Sequence, residues 1–402
     1  MKASDVPCPD WMQQRLKLHG HQVPFSTFME WALHDPQHGA YGAGRLQVGT
    51  DGDFVTSPAL GDDFSALLAR QLIEWLEVLA RRHPDQPLAV VDVGPGEGHL
   101  MDQLRPHLSV QAPDLIGRLE CVLVELNPGM EARQRNRLSS DHPIPCRWSA
   151  LEDLHAEPLI GILIAHELLD AFPVERLIVR DGTLQRQLVQ LQPSEFGQGS
   201  LVWGEEPLPE ALAAQIAQQA QRIGLPLPPL DVEDGWATEW HHAVEPWLRQ
   251  ASYAMQDGML LVVDYAMEAS RYYAARRPDG TLTAYRQQQA SGDVLRHAGE
   301  QDITAHLCLE TLLDSAKATG WIPAGQCRQG EALLALGLPE RFSALQQLPG
   351  HQLDEALHRR EALLRLVDPS CLGELRWLAF ERCADHDDLP MPNPSRFLRE
   401  PS

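Results

Sequence analysis

A glycine-rich turn after a short apolar segment is the sharpest chemical signal in the sequence. The segment VVDVGPGEGHL places an acidic residue and three glycines at alternate positions, Asp92, Gly94, Gly96 and Gly98. Glycines let the backbone bend tightly and approach a ligand closely. The dinucleotide-binding fingerprint G-x-G-x-x-G would need glycine at position 99, where this chain has His99. The spacing therefore predicts a site for S-adenosylmethionine (SAM), a cationic cofactor that the acidic residue suits. A strand–helix turn without a ligand is the alternative.

A carboxylate is expected at the end of the next apolar segment, LECVLVEL (119–126). In a doubly wound sheet, a carboxylate at the carboxyl end of this strand can accept hydrogen bonds from ribose hydroxyls. Glu120 lies closer to the usual spacing of about 20 residues after the turn. It opens the segment, however, and would lie at the opposite edge of the sheet. We therefore predict that Glu125, which follows the strand, binds the ribose.

Two further carboxylates follow the segment LIGILIA (159–165), in the stretch His166-Glu167-Leu-Leu-Asp170. Half of this stretch matches the H-E-x-x-H zinc helix, but an aspartate replaces the second histidine and the motif follows a strand, so no metal is predicted. Glu167 and Asp170 could instead hold a guanidinium, because arginine presents a planar fork of donors. The alternative is that Glu167 caps a helix and Asp170 is solvated.

These residues need a scaffold of buried strands, which four continuous apolar segments supply: LAVVDVG (88–94), LECVLVEL (119–126), LIGILIA (159–165) and GMLLVVDYA (258–266). Such segments are typical of a parallel sheet buried on both faces, and those between them are long enough for crossover helices. We therefore predict a doubly wound α/β sheet, whose ligands bind at the carboxyl ends of the strands. Asp264 and Tyr265 lie at that edge too, and their role stays open.

The flanking regions are predicted to be mainly helical. Apolar residues in segment 63–82 have the spacing of a core-facing helical stripe, namely Phe64, Leu67, Leu68, Leu72, Trp75 and Leu79. Residues 192–234 are rich in Pro, Gln and Ala and are predicted to be an insertion with a stiff linker. The segments 353–368 and 372–382 are predicted to be terminal helices.

The composition excludes several classes of function. The chain has 33 Lys+Arg against 56 Asp+Glu, a formal net charge of −23, and no dense Lys/Arg run, which disfavours nucleic-acid binding although a local basic patch stays open. Its seven cysteines form no C-x-x-C pair, which favours neither a disulfide framework nor a structural zinc site. The first residues have no apolar signal region, and the apolar segments are shorter than the roughly 20 residues that span a bilayer. We expect a cytoplasmic protein with no membrane insertion.

Eight segments occur in an order that resembles the MidA family of SAM-dependent methyltransferases: FSTFMEWALHDPQHGAYG, GDFVTSPAL, VVDVGPGEGHLMDQL, VELNPGM, IAHELLDAFPVERL, VVDYA, GTLTAYR and GEQDITAHL. The resemblance implies a Rossmann-like class I methyltransferase core with added N-terminal, inserted and C-terminal helical elements. The implied divisions are listed in chain order: an N-terminal cap segment contributing to the cofactor site (1–85), the core (86–340) with an insertion at about 192–254 and a substrate-side segment at about 266–305, and a C-terminal helical extension (341–402).

The resemblance also implies an activity and residue roles. The family's mitochondrial member is an assembly factor of respiratory complex I that methylates an arginine of a core subunit, so a complex I-type protein substrate is expected. The residues expected at the SAM cofactor are Asp92, Gly94, Pro95, Gly96 and Gly98 near its methionine end, Glu125 at its ribose, and Thr56, Ser57 and Pro58 as a cover. The residues expected to act on the acceptor are His166, Glu167 and Asp170.

Three positions depart from the family pattern and leave the methyl acceptor open. Ala266 replaces a glycine, Gln287–Gln289 stand where a histidine is common, and Gly39-Ala40-Tyr41 stand where G-Y-Y is common. A small-molecule methyltransferase and a non-catalytic assembly factor that keeps the fold are therefore alternatives. A nicotinamide oxidoreductase is disfavoured by His99. The sequence does not indicate an oligomeric state.

Overall fold

The computed structural model describes residues 6–46, 49, 52–194, 197–383 and 391–400. The strands of these residues are, in chain order, β1 (Val6–Pro7), β2 (Gln22–Pro24), β3 (Leu88–Val93), β4 (Leu119–Val124), β5 (Cys146–Ser149), β6 (Leu159–His166), β7 (Glu175–Arg180), β8 (Thr183–Ser194), β9 (Gly197–Pro207), β10 (Ala237–Trp240), β11 (Met255–Asp264), β12 (Ala266–Met267), β13 (Thr283–Arg286), β14 (Gln289–Ser291), β15 (Asp302–Thr304), β16 (Leu307–Cys308), β17 (Ile322–Arg328) and β18 (Arg376–Arg382).

The helices of the described residues are, in chain order, α1 (Asp10–Leu18), α2 (Phe25–His34), α3 (Asp62–Arg82), α4 (His99–Gln111), α5 (Pro128–Arg137), α6 (Glu210–Ile223), α7 (Val244–Tyr253), α8 (Ala269–Tyr272), α9 (Leu309–Ala318), α10 (Gln329–Ala335), α11 (Leu338–Gln346) and α12 (Leu353–Val367). The helix predicted over 63–82 is α3, and all six side chains of its predicted stripe are buried. None of the helices in the described ranges is long and apolar enough to cross a bilayer.

A seven-stranded sheet with the order β17-β18-β11-β6-β3-β4-β5 forms the centre of the molecule. The strands from β11 to β5 are parallel, and β18 runs antiparallel to both of its neighbours. Successive side chains of β3 enter two different apolar clusters, Val90 on one face and Val91 on the other. The predicted doubly wound α/β sheet is thereby confirmed, and the four predicted strands are β3, β4, β6 and β11.

The prediction of a helix over 372–382 is wrong, because Arg376–Arg382 forms strand β18 inside the sheet. Four consecutive residues of this strand are buried, from Trp377 to Phe380. Trp377 lies in the cluster on one face and Leu378 in the cluster on the other. Successive side chains of a strand point to opposite faces, so a strand covered on both faces buries a continuous run. An apolar run this short is ambiguous from sequence. Pairing with β11 and β17 decides its structure.

A second, antiparallel sheet joins the N-terminal segment to the insertion. Its order is β1-β9-β8-β7-β10, and β2 also pairs with β8. The stretch 192–234, predicted as an insertion with a stiff linker, contains β9 and α6, followed by a proline-rich part without regular structure. The N-terminal residues pair with this sheet at two places, Val6 opposite Leu201 on β9 and Val23 opposite Val189 on β8, which precedes the stretch. The division of the chain at residues 85 and 340 stays a prediction.

A small three-stranded sheet, β14-β13-β15, lies within the segment predicted to face the substrate. Strands β13 and β14 form a hairpin whose turn contains Gln287 and Gln288. Their φ angles of 50° and 60° are those of a type I′ turn. The amide of Ala305, just after β15, donates to the carbonyl of Asp170 at 2.8 Å. This bond attaches the small sheet to the end of β6, where the predicted acceptor residues lie.

Because β18 is buried on both faces, substitutions at two adjacent positions of this strand should each destabilise the protein. Trp377→Ala should lower the free energy of unfolding by about 3–5 kcal/mol and Leu378→Ala by about 2–5 kcal/mol, because each leaves a cavity in a different core cluster. Leu364→Ala on α12, where the side chain is 49% exposed, should change it by roughly 0.5 kcal/mol or less. Urea denaturation measures all three. A large effect at only one of the two β18 positions would contradict burial on both faces.

Candidate cofactor and acceptor site

The glycine turn after β3 needs a left-handed backbone at three positions. The φ angles of Gly94, Gly96 and Gly98 are 67°, 52° and 80°, a region in which other residues are strained. The Gly98 amide donates to the Pro95 carbonyl at 2.8 Å and closes the turn at the start of α4. A Cβ atom at Gly94 would lie 2.6 Å from Leu168, whereas one at Gly96 would meet no described atom within 4 Å. The turn is therefore tight on one side and open beside Gly96.

Asp92 offers a buried negative group just before this turn. Its side chain is 2% exposed, and its Oδ2 has no hydrogen-bond partner among the described residues. Burial, and then the charge of Glu125, raises the pKa of Asp92 to about 7. An unpartnered buried carboxylate oxygen fits a ligand that brings a positive charge, such as the ammonium group of SAM. The residues present therefore fit the predicted cofactor.

Glu125 directly follows β4, at the same edge of the sheet. Its carboxylate accepts hydrogen bonds from the Asn127 amide at 2.8 Å and from Gln134 Nε2 at 2.9 Å. Burial raises the pKa of Glu125 in spite of these bonds. Glu120, the alternative, pairs with Arg147 through two bonds of 3.0 Å near the start of β4. The structure thus places Glu125, and not Glu120, beside the glycine turn.

Two residues at this edge were not predicted. Gln134 is fully buried, and its side-chain amide donates both to Glu125 and to the Gly96 carbonyl, the latter at 2.8 Å. It therefore connects the ribose candidate to the glycine turn. Leu126 next to Glu125 is an apolar side chain with 81% exposure, and apolar surface of this kind could pack against a ring of the cofactor. Neither residue is part of the glycine motif from which the site was predicted. Leu126 could have been predicted from its position just after a strand at the ligand edge of the sheet.

The N-terminal segment reaches both parts of the site. The carbonyls of Tyr41 and Gly42 accept hydrogen bonds from Asn127 Nδ2, and that of Gly44 accepts one from Arg133 at 2.7 Å. These bonds hold residues 41–44 against the first turns of α5. The predicted cover residues, Thr56, Ser57 and Pro58, follow in the same N-terminal segment.

Thr56 precedes a 3-10 turn, Ser57–Leu60, in which the other two predicted cover residues lie. The Ser57 amide is 3.4 Å from Glu167 Oε1, and the carbonyl of Pro58 accepts from Gln103 on α4 at 3.0 Å. The turn therefore lies between α4, after the glycine turn, and the acceptor candidates.

The acceptor candidates lie in a turn at the end of β6 that Asp264 organises. Asp264 Oδ2 accepts the backbone amides of Leu168, Leu169 and Asp170, at 3.2, 2.8 and 3.3 Å. Glu167 has a φ of 48°, and a non-glycine residue in this region is a strained feature that often marks a functional site. Asp170 is 5% exposed and the side chain of Glu167 is 10% exposed. The alternative of a solvated Asp170 is therefore excluded.

Four carboxyl groups share this buried region without a matching cation. Burial raises the pKa of Asp264 to about 7 and that of Asp302 to about 6. Burial together with neighbouring carboxyl charges raises the pKa of Glu167 to about 8 and places that of Asp170 well above its usual range. Within the described ranges, no Lys or Arg side chain forms an ion pair with any of them, although the described residues form more than twenty such pairs elsewhere. A ligand cation would supply the missing positive charge.

His166 is a basic side chain beside this cluster. Its Nδ1 lies 3.6 Å from Glu167 Oε1, and its buried Nε2 has no hydrogen-bond partner among the described residues. Burial lowers the pKa of His166 to about 3, so the ring is neutral at neutral pH. The His166 imidazole therefore brings no positive charge to the carboxyl groups, and its Nε2 makes no hydrogen bond to a described residue.

Three tyrosines from separate segments border the carboxyl cluster. The Tyr41 hydroxyl donates to Asp302 Oδ1 at 3.0 Å, and Tyr285 lies opposite Asp302 across the β13–β15 pair. The ring of Tyr265 stacks on His306 with centroids 5.4 Å apart. Burial raises the pKa of all three phenols, so they are neutral donors and aromatic surfaces at any working pH. In the described parts of the chain, no three His, Cys, Asp or Glu side chains are arranged to hold a metal ion.

Comparison with known proteins identifies relatives over most of the chain. Residues 67–327 match the family described as S-adenosyl-L-methionine-dependent methyltransferases. The chain is 25% identical to the mitochondrial protein arginine methyltransferase NDUFAF7 homolog of Drosophila melanogaster, over 87% of this chain and 79% of that one. It is 24% identical to NDUFAF7 of Danio rerio, over 80% and 75%. A COG1565 superfamily member from Burkholderia thailandensis, solved bound to S-adenosyl-homocysteine, has a TM-score of 0.81 and 25% identity, over 98% of this chain and 97% of that one.

The raised and lowered pKa values predict how the stability of the ligand-free protein depends on pH. Asp92, Asp264 and Glu167 have pKa values of about 7 to 8 when folded, so they keep protons that the unfolded chain has lost. The free energy of unfolding contributed by these groups should therefore fall as pH rises from about 4, where the unfolded carboxyls lose their protons, to about 8, where the folded ones have lost theirs. Below about pH 6.5 the lowered pKa values of buried histidines such as His166 offset part of this fall, because the unfolded histidines are protonated first.

Thermal or urea denaturation between pH 6.5 and 8.5, where the histidines contribute least, checks this: stability should fall up to about pH 8 and then level off. Glu167→Gln removes one of the titrating groups, so its stability should fall less steeply than that of the wild type above pH 6.5. Parallel curves for the two proteins would show that Glu167 does not hold its proton in the folded state.

Proposed function

Because the chain belongs to this family of S-adenosyl-L-methionine-dependent methyltransferases, we propose that it transfers the SAM methyl group to a guanidinium nitrogen of an arginine in a protein partner. The observation that carries the proposal is the buried group of four carboxyls without a Lys or Arg partner in the described chain. A guanidinium is charged at any working pH, and its planar donors suit several carboxylates at once. The names of the fly and fish relatives, both protein arginine methyltransferases, support the same acceptor.

The cofactor is proposed to lie at the carboxyl ends of β3 and β4. The backbone of Gly94, Pro95, Gly96 and Gly98 would hold its methionine end, and the free oxygen of Asp92 would take its ammonium group. Glu125 would accept hydrogen bonds from the ribose while Gln134 fixes its carboxylate. Thr56, Ser57 and Pro58 would cover the cofactor from the N-terminal side. When bound, SAM supplies a methyl group that is already activated on a sulfonium.

The acceptor residues are proposed to orient the guanidinium and to receive its proton. Glu167 and Asp170 would pair with two of its nitrogens and direct a third at the methyl group, so that proximity supplies most of the acceleration. After transfer, the methylated nitrogen must lose one proton. A carboxylate with the raised pKa of Glu167, about 8, is suited to take it at neutral pH. His166 would contribute its free Nε2 as a neutral hydrogen-bonding group.

A small cationic molecule is the second candidate acceptor. It is favoured by one observation, the burial of the carboxyl cluster, since Asp264 is fully buried and Asp170 and Asp302 are at most 5% exposed. A closed site suits a small acceptor better than a surface arginine, which would need the cover to move. The complex I-type partner and the cytoplasmic location, both expected from the sequence, stay predictions.

Gly96→Trp should abolish SAM binding, because the indole would fill the open space beside the turn. Gly224→Trp is a matched control: its φ of 70° is also left-handed, and a Cβ there also meets no described atom within 4 Å, but it ends α6. Calorimetric titration with SAM should give no heat for the first variant and wild-type affinity for the second. Equal affinities would place the cofactor elsewhere.

Glu167→Gln should slow methylation by about 10²-fold or more, because it removes the base and one partner of the guanidinium. Glu120→Gln, which changes the rejected carboxylate at the other end of β4, should leave the rate unchanged. The assay uses labelled SAM with arginine peptides, lysine peptides, free arginine and isolated partner subunits. A Glu167→Gln protein that methylates as fast as the wild type would refute its role. Labelling of small cations alone would favour the second candidate.

A further inference from the structure

The carboxyl cluster receives one member from outside the seven-stranded sheet. Asp302 opens β15 in the small antiparallel sheet, is 4% exposed, and acts electrostatically on both Glu167 and Asp170. The hydrogen bond from the Ala305 amide to the Asp170 carbonyl, 2.8 Å long, fixes β15 against the turn after β6. Asp302 therefore approaches the acceptor candidates from a different side than the strand that carries them.

Tyr41 in turn connects Asp302 to the cofactor edge. Its hydroxyl donates to Asp302 Oδ1 at 3.0 Å, and its backbone carbonyl accepts from Asn127 Nδ2 at 3.1 Å. Asn127, two residues after Glu125, caps α5, and its side chain accepts hydrogen bonds from the Gly129 and Met130 amides. One residue of the N-terminal segment thus contacts the acceptor cluster through its side chain and the cofactor side through its backbone.

We propose that Asp302 is a specificity-determining residue of the acceptor site, and that Tyr41 is the positioning residue that orients its carboxylate. This rests on the proposed function, an arginine acceptor. A guanidinium directs its five N–H groups along three edges of a plane, so two carboxylates from one turn cannot face all of them. A third carboxylate from another side completes the set.

The residue next to the cluster is also incompletely satisfied. The buried Nε2 of His166 has no partner among the described residues, although its ring contacts Glu167. A buried polar atom without a partner is costly unless something binds it. A purely structural Asp302, held by Tyr41 and serving only to fix β15, would leave the missing cation of the carboxyl cluster unexplained.

The kinetic test separates binding of the acceptor from folding. Asp302→Asn keeps the shape of the side chain, so the protein should fold and bind SAM within about twofold of wild type. Its KM for an arginine peptide should rise about tenfold or more, with a smaller change in kcat, because a charge-assisted pair is lost. A structural role predicts lower thermal stability with an unchanged KM.

Tyr41→Phe gives a readout that a structural role would not move. The Tyr41 hydrogen bond lowers the pKa of Asp302 relative to burial alone, so its loss should shift the rise of kcat/KM with pH toward higher pH. Tyr272→Phe is the matched control, since its buried hydroxyl lies 3.4 Å from Glu239, away from the cofactor edge. It should leave the profile unchanged.

An unchanged KM in Asp302→Asn, or equal profiles for the two tyrosine variants, would overturn this proposal alone, provided that the wild type methylates the peptide. A wild type that methylates no arginine would overturn the proposed function and this proposal with it.

Discussion

The carboxylate of Asp264 determines the shape of the acceptor site. It ends β11, one residue beyond Val263, which lies opposite His166 in the parallel pair with β6. Its Oδ2 accepts three successive amides after Glu167, and its Oδ1 accepts the Tyr265 amide at 2.8 Å. Asp264, at the end of a central strand, thus fixes the conformation of the turn by accepting hydrogen bonds from its backbone amides. Because the turn is held by its amides, the side chains of Glu167 and Asp170 do not have to stabilise it and can serve a ligand.

Such a site is costly to the ligand-free protein. Burial of several carboxyl groups without a cation disfavours their ionisation, which is why their pKa values rise. The apolar clusters on both faces of the seven-stranded sheet stabilise the molecule against this cost. The second sheet adds a further constraint, because pairing of β2 with β8 fixes the N-terminal segment whose loop reaches Asn127 and Arg133. Functional sites commonly break local rules that the rest of a structure obeys.

The parts of the site that follow a strand could be predicted from the sequence, and those that depend on long-range pairing could not. Asp92, Glu125 and Glu167 lie next to continuous apolar strands, whose carboxyl ends meet at one edge of a parallel sheet. Asp302 and Tyr41, by contrast, are 261 residues apart and meet only through a small antiparallel sheet with no strong apolar pattern. The misassigned β18 shows the same limit, since its partners lie more than 45 residues away in sequence.

Charge balance would give the carboxyl cluster a role on both sides of the proposed reaction. Methyl transfer from SAM to a guanidinium brings two positive groups together, and their repulsion is strong where water is excluded. Carboxyl groups with raised pKa values can release protons when the cations bind. After transfer the sulfonium charge is gone, and the methylated nitrogen gives up a proton, so a carboxylate that takes this proton keeps the total charge of the site constant. A cluster of coupled carboxyls is therefore better suited to this reaction than a single strong base, because it can ionise in the reactant complex and store a proton in the product complex.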